Sequence, residues 1–535
     1  MSQERLNRHQ RPIARRIIVR GLLILDTPTC LGSGDAESPT DLALVRDSIS
    51  NCALLTGASI AGALRNFLRE CEHGYNASEQ KRDRATTLFG GTRRDPDGEQ
   101  SPLIIHDAIS RQIPTVELRD GVAIDSETGT AKDGQKYDLE LLAAGTEFPL
   151  SFELLVEKKI SKPEALIDCL ASALEGLEKG EIDLGMKKRR GFGRCHVKKW
   201  QVWNFNLEDE GDRRSWLNFE HWHTELLPNR SSYRSIKKAF EATGVKQDFN
   251  QKDKRDRFTI HATFQLVGSL LIRSGQNSTG RAPDVVHLKS HRNGKQKSVL
   301  SGTSLAGVLR HRAERIVNTL HQIDRNITQE IVNDIFGFAK DNQDSKRQTA
   351  KEVTQKPDAK SSRLVVREKE ITKAEDLVQN RIAIDRFTGG AYHGALFDEQ
   401  PVFGGEKTRV CIELELRQPE NHEIGLLLLL LKDLWTSDLP VGGESSIGRG
   451  RLKGIQAMLM RHHPDNPQHW KIGEKDGKIH VIDRINPSRA EQSVRDEMNE
   501  FVKSLVQYLG KEVAKGVMRS PKLLKMKIFK SRRIS

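Results

Sequence analysis

The chain repeats itself, and the repetition limits what it can fold into. Residues 57–65 read G-A-S-I-A-G-A-L-R and residues 302–310 read G-T-S-L-A-G-V-L-R, identical at six of nine positions. Downstream, Gly185, Gly191, Gly193 and Arg194 form G-x5-G-x-G-R. Gly442, Gly448, Gly450 and Arg451 repeat it at the same spacing. Two more pairs lie between, in the same order. Leu88-Phe89-Gly90 matches Ile335-Phe336-Gly337. Ala123-Ile124-Asp125 with Thr128-Gly129 matches Ala383-Ile384-Asp385 with Thr388-Gly389. One match is a coincidence; four in register are a duplicated domain of about 200 residues. The separation grows from 247 to 260 residues between the second and third pairs, which puts an insertion in the second copy. Residues 340–362, polar and charged, supply it and are expected to form a mobile loop.

Each copy reads as strand, long loop, helix, then more strands. Phe258, Ile260, Ala262, Phe264 and Leu266 alternate with polar neighbours, the mark of a half-buried strand. Ile17-Ile18-Val19 and Leu22-Leu23-Ile24 are a looser counterpart. Ile60, Leu64, Phe67 and Leu68 follow helical spacing, as do Leu305, Leu309, Ala313 and Ile316. This order predicts an α+β fold, a sheet with helices on one face. The expected division is a first domain over 1–203, a connector over 204–257, a second domain over 258–455 and an extension over 456–535, with one amphipathic helix near 493–509 and a basic tail.

Among 535 residues, 36% are hydrophobic and 30% charged, which suits globular cores under a solvated surface. The net charge of +13 favours a polyanionic partner, although a basic soluble enzyme has the same balance. No apolar run is long enough to span a bilayer. Ile424–Leu431 ends at Lys432-Asp433 and reads as a buried helix. The basic N-terminus lacks the features of a secretory signal. Six cysteines without a C-x-x-C pair read as reduced thiols. The expectation is a cytoplasmic protein with no membrane partner. Neither glycine loop is a G-x-x-x-x-G-K-[ST] site, so NTP hydrolysis is not expected. No Ser-His-Asp order is readable, and the histidines show no metal-ligand spacing.

Gly57, Ser59 and Arg65, with Gly302, Ser304 and Arg310, sit at helix starts. Free amides and the helix dipole there favour a phosphate, and the arginines can add charged hydrogen bonds. The alternative is ordinary capping by Ser with a solvated Arg. Lys187, Lys188, Arg189, Arg190 and Arg194 crowd around Gly191 and Gly193, a loop able to follow an RNA backbone, with Phe192 free to stack on a base. The alternative is a solvated turn with Phe192 in the core. Gly448, Arg449, Gly450 and Arg451 form the weaker counterpart, preceded by Glu444.

These motifs resemble the RAMP superfamily, whose members form the backbone of type III CRISPR effector complexes. The resemblance rests on the first strand, the G-x-S-x-x-G-x-x-R helix start and the late glycine loop in both copies. The two-copy arrangement looks most like the tandem fusions of type III-D systems. Thr56 and Ser301 stand where the family's pattern has Pro. The resemblance implies two tandem RRM-like or ferredoxin-like domains with inserted loops. It implies guide RNA, target RNA, other RAMP backbone subunits, a large polymerase/cyclase-like subunit and small subunits as partners. It also implies endoribonucleolytic cleavage of guide-paired target RNA by a loop Asp before each helix start. Asp41 and Asp284 hold that place, with Asp26 as a rival in the first copy. Asp35 and Asp47 lie in the same stretch, and His287 and His291 could assist proton transfer near Asp284. Both acids are expected to hold a divalent ion, Mg2+ or Mn2+, through hard oxygens. The alternative for each is an Asp that caps a turn. A purely structural RNA-binding subunit and a stand-alone guide-precursor nuclease are the competing functions.

Overall fold

A computed structural model describes residues 10–33, 43–91, 98–125, 128–158, 160, 162–245, 252–274, 283–321, 325–339, 359–475 and 478–519. Asp41, Asp35 and most of the expected insertion at 340–362 lie outside these residues.

The first copy contains β1 (Ile13–Leu25), α1 (Gly57–His73), α2 (Arg84–Phe89), β2 (Leu103–Ile105), β3 (Glu147–Glu157), α3 (Pro163–Glu178) and β4 (Cys195–Asn206). The second contains β5 (Arg257–Leu270), α4 (Gly302–His321), α5 (Arg325–Phe336), β6 (Leu364–Val366), β7 (Arg409–Arg417), α6 (Asn421–Trp435) and β8 (Arg451–His462). The first sheet runs β2-β3-β1-β4 and the second β6-β7-β5-β8, every pair antiparallel. The two copies therefore share one topology, and each buries its own core. A two-layer α+β domain of ferredoxin-like strand order, used twice, is the architecture.

The core follows from the patterning. Phe258, Ile260, Ala262, Phe264 and Leu266 of β5 are buried under the helices, while His261, Thr263 and Gln265 point to the far face and stay partly exposed. In α1, Ile60, Leu64 and Leu68 face the sheet, as Leu305, Leu309 and Ala313 do in α4. The helix-start glycines are required by packing. A Cβ on Gly57 would lie 2.5 Å from the Ile105 carbonyl, and one on Gly302 would lie 2.5 Å from the equivalent Val366 carbonyl.

The expected division of the chain differs from the observed one at two places. Position 203 falls inside β4, and the connector is built into the first copy: Ile236 and Phe240 of the helix Ile236–Glu241 join its core. Position 455 falls inside β8. Two further strands, β9 (Gln468–Lys475) and β10 (Lys478–Asp483), continue the second sheet. The terminal helix α7 (Glu491–Arg519) lies against α6 so closely that a Cβ on Gly425 would sit 2.3 Å from the Phe501 carbonyl.

Candidate nucleic-acid interface

The two repeated motifs nearest in sequence touch in space. Arg65 of α1 donates to the Gly90 carbonyl at 3.0 Å and grips Glu79 with two hydrogen bonds of 2.7 Å. Arg310 of α4 donates to the Gly337 carbonyl at 2.6 Å and to Asn333. Each motif arginine thus holds the L-F-G or I-F-G turn of its own copy. The expected phosphate contact through Arg65 gives way to a structural clamp, because Glu79 already neutralises it. Thr56 caps α1 by accepting from the Ser59 amide, and the Gly57 amide donates to Asp107 at 2.6 Å. The Gly57 amide is therefore spoken for, while the Ser59 side chain remains exposed. In α4 the Thr303 amide donates to Ser301, and Ser304 is half-buried.

The glycine loops have one backbone shape. Gly185, Lys187, Gly191 and Gly193 take φ of 79°, 52°, 91° and 81°; Gly442, Glu444, Gly448 and Gly450 take 79°, 58°, 90° and 78°. A Cβ at Gly193 or Gly450 would stand 1.9 Å from a carbonyl oxygen, that of Leu184 or Val441, so both need glycine twice over. Phe192 does not stack on bases: it is 3% exposed and packs with Leu139 and Leu141. Arg449 at the same place is equally buried, within 2.9 Å of Glu399 and 2.7 Å of Glu444, so it is not free to meet RNA either.

The first loop is wedged between the copies. A Cβ on Gly191 would meet the Glu368 amide at 2.3 Å, and the Arg190 carbonyl lies as close to where Gly302 would carry one. Ion pairs fasten the junction: Asp183 with Arg367 at 2.7 Å, Arg119 with Glu368 at 3.1 Å, Arg194 with Glu413 at 3.3 Å. Gly448, by contrast, has open space around it, and Ile447, Leu377 and Val378 beside that loop and its hairpin are about half exposed.

Beside the junction opens a cleft of about 1090 Å³. Ala58, Ser59 and Asn66 of α1 form one wall; Lys187 to Arg190, Arg310 and Gly337 form the other. Its acids are occupied elsewhere: Glu70 with Arg417, Asp183 with Arg367, Glu181 with Arg255. The side chains of Lys188 and Arg189 have no hydrogen-bonded or ion-paired partner among the described residues. Among the described residues, the Arg190 guanidinium reaches only the Phe336 carbonyl at 3.3 Å, and its other terminal nitrogen is buried without a partner. Burial pushes the pKa of Lys188, Arg189, Arg190 and Arg310 down from their ordinary values. Cations in that state gain from a bound anion.

The acids fare differently. Asp284 is exposed and accepts from the Asp398 amide at 3.0 Å. Asp26 lies 2.8 Å from His196, both about one-third exposed. Asp47 closes a turn with Ser50, whose hydroxyl and amide hold its pKa below the usual carboxylate value. The proton-transfer role for His287 fails: the ring is buried, accepts from the Ile272 amide and donates to the Val299 carbonyl, and burial brings its pKa down to about 4. His291 is tied to Glu117 across the junction at 3.1 Å. Among the described residues, Asp284 has no second and third side chain within reach to complete a metal-ligand set.

Two hairpins escaped the reading by motif. Val116–Ile124 with Ala131–Leu142, and Gln379–Ile384 with Ala391–Gln400, project from the two copies. Their tips are the repeated A-I-D…T-G segments: the Gly129 and Gly389 amides donate to the Asp125 and Asp385 carbonyls. Leu118, Val122 and Ile124 are exposed on the first. Ile382, Ile384, Tyr392, Leu396 and a fully exposed Phe387 are on the second. The signal was in the repeat, but not the apolar surface around it.

A family model described as the RAMP superfamily matches residues 23–196 and 263–453, more than half of the chain. The chain belongs to the RAMP superfamily. The two matched stretches are the two copies, each from its first strand through the glycine loop. A RAMP chain of this kind is a CRISPR-associated RNA-binding protein. No curated protein matches the chain. Among the described residues, no helix is long and apolar enough to cross a membrane.

Proposed function

We propose that this RAMP protein is a backbone subunit of a type III CRISPR effector complex. It grips guide RNA in the cleft between its copies, and its loop acids cut the target RNA paired to that guide. The observation that carries the reading is the set Lys188, Arg189 and Arg190: three cations lining a cleft, the two arginines half-buried, with no carboxylate paired to any of them among the described residues. A phosphodiester backbone supplies the missing charge at closely spaced points. The exposed Phe387, Tyr392 and Leu396 of the second hairpin suit contact with base faces, which a splayed strand offers in either hairpin.

For cleavage, Asp41 or Asp284 takes the proton of a target 2′-hydroxyl. The 2′-oxygen then bonds to phosphorus, and the 5′-oxygen leaves and takes a proton from water. The products are a 2′,3′-cyclic phosphate and a 5′-hydroxyl. A divalent ion, Mg2+ or Mn2+, at Asp41 and Asp284 is part of the proposal, but no step is routed through it. The open loop around Gly448 supports a further RAMP subunit as a partner, docking as the Gly191 loop docks on the second copy. The polymerase/cyclase-like and small subunits complete the proposed assembly. The bond from the Asp398 amide to Asp284 favours the second reading, a non-catalytic scaffold.

Joint replacement of Lys188, Arg189 and Arg190 by alanine is expected to weaken guide binding in a filter titration. The logarithmic salt slope should fall by about 0.7 for each phosphate the variant no longer holds. An unchanged slope removes the cleft from the RNA path. In the assembled complex, Asp41→Ala and Asp284→Ala should each abolish a different cut on an end-labelled target while guide binding survives. Both cuts persisting in the double variant would leave the scaffold.

A further inference from the structure

We propose that the first copy carries a structural site for a borderline divalent transition-metal ion, made by Glu72, His73 and Asp83. The site is separate from the cleft and from the loop acids. It joins the last turn of α1 to the start of α2.

The geometry is specific. His73 Nε2 is buried and has no hydrogen-bond partner. It faces Asp83 Oδ2 at 3.4 Å and Glu72 Oε2 at 3.7 Å, and one ligand atom from each of the three residues lies within 4.8 Å of the others. A protonated imidazole holding carboxylates would draw them to about 2.7–2.9 Å. These separations are longer. Ligand bonds of about 2.0–2.2 Å to a tetrahedral zinc-type ion put neighbouring donor atoms about 3.3–3.6 Å apart. The His73–Asp83 separation of 3.4 Å falls in that range, and the His73–Glu72 separation of 3.7 Å lies just above it.

The donors are also held in place by the backbone. Glu72 Oε2 accepts from the Arg84 amide at 2.9 Å. Asp83 Oδ2 accepts from the Gln80 amide at 2.9 Å, and Asp83 Oδ1 accepts from the Thr86 amide at 2.6 Å. Such outer bonds orient ligands toward an ion. An imidazole with two carboxylates suits Zn2+, Co2+ or Ni2+; Mg2+ and Ca2+ take sets made of oxygen alone. Asp83 is buried, while His73 and Glu72 keep 15% and 20% of their side chains exposed, enough for a water in the fourth position.

The second copy shows what stands there without such a site. At the offset of the helix-start repeat, Asn318 takes the place of His73, and its carbonyl accepts from the Thr328 hydroxyl at 2.6 Å. A neutral hydrogen bond stands there in place of the charged cluster. In the first copy the ion would pin the segment 74–83, which carries Glu79, the partner of Arg65. Its role is to stiffen the clamp under the helix start.

The test uses the full chain stripped with a chelator and titrated calorimetrically with zinc chloride alone. One equivalent should bind, and the melting temperature should rise with zinc. Both responses should be lost in His73→Ala and in Glu72→Gln; the latter keeps an oxygen for the Arg84 amide and covers a folding defect in the former. Zinc uptake that is absent in the parent, or retained at full stoichiometry in both variants, overturns the site. Neither result bears on RNA binding by Lys188 to Arg190, which is read separately.

Discussion

The two copies share a backbone and differ in what they hide. The far face of the first sheet is covered. Ile18, Trp203 and Phe205 pack under the segment after β4, and Arg20 lies between the rings of Trp203 and Phe219 at 5.1 and 4.8 Å. The far face of the second sheet is more open, with an exposed His261 at the place of Arg20. The loops differ in the same sense. Gly191 is pressed into the junction and Gly448 is free, at nearly equal φ. Duplication preserved the parts that constrain the chain itself. The surfaces diverged according to what each copy must meet.

The largest effects are expected at the one loop position where the copies use opposite chemistry. Phe192→Ala empties a packed apolar site and should cost about 3–5 kcal/mol. Arg449→Ala leaves the buried Glu399 short of a partner. It should cost about 3 kcal/mol, the low end for a broken buried pair, because Arg381 stays 3.1 Å from Glu399. Thermal melts of the two variants check both. A negligible loss in either one would mean that the two loops are not equivalent in the fold.

Next comes the junction. Gly448→Ala should cost only the left-handed conformation, about 1–2 kcal/mol. Gly191→Ala adds a collision with the Glu368 amide, so its cost should reach about 2–3 kcal/mol, the range of overpacking. Equal melting temperatures for the two variants would show that the copies do not press together at this loop. A smaller contrast separates the sheet faces. Arg20→Ala removes a buried guanidinium that donates to the Glu220 carbonyl at 2.7 Å and should cost about 2 kcal/mol. His261→Ala, on the open face, should stay within about 0.5 kcal/mol.

Much of this was legible in the sequence, for identifiable reasons. Glycines such as Gly193 and Gly450 leave no alternative residue, so their spacing survives divergence and marks the repeat. The alternation in β5 is readable because its far face is polar. In β1 it is blurred, and the reason is physical: Ile18 and Leu22 are buried as well as Ile17 and Leu23. Contacts between distant segments leave no such trace. Nothing local says that Arg65 would find Glu79 and Gly90 rather than a phosphate, or that Phe192 would turn inward. The ten-residue gap from His73 to Asp83 resembles no ligand motif, since a turn brings the two together. The A-I-D…T-G repeat was visible, but its place at a hairpin tip depends on the pairing of strands.

The last difference is a titration. The second copy buries His287 where the first has Leu44: His287 pairs with Arg273 in the strand register, and Leu44 pairs with the equivalent Gly32. Burial brings the His287 pKa down to about 4, partly offset by its bond to the Val299 carbonyl. The unfolded chain takes up this proton near pH 6.5. Above that value the ring is neutral in both states and contributes no pH dependence. Between pH 6.5 and 4 the unfolded state binds a proton that the folded state refuses, so stability falls as pH falls. The loss should be about 1 kcal/mol at pH 5.5 and should level off below pH 4. Leu44 contributes nothing of the kind, so this part of the acid sensitivity belongs to the second copy alone. His287→Leu gives up the Ile272 and Val299 bonds and should melt lower than the parent at pH 7. Its further drop on going to pH 5.5 should nevertheless be smaller than the parent's. An identical drop in parent and variant would show that His287 is protonated in the folded chain, and that the second copy is no more acid-sensitive at this position than the first.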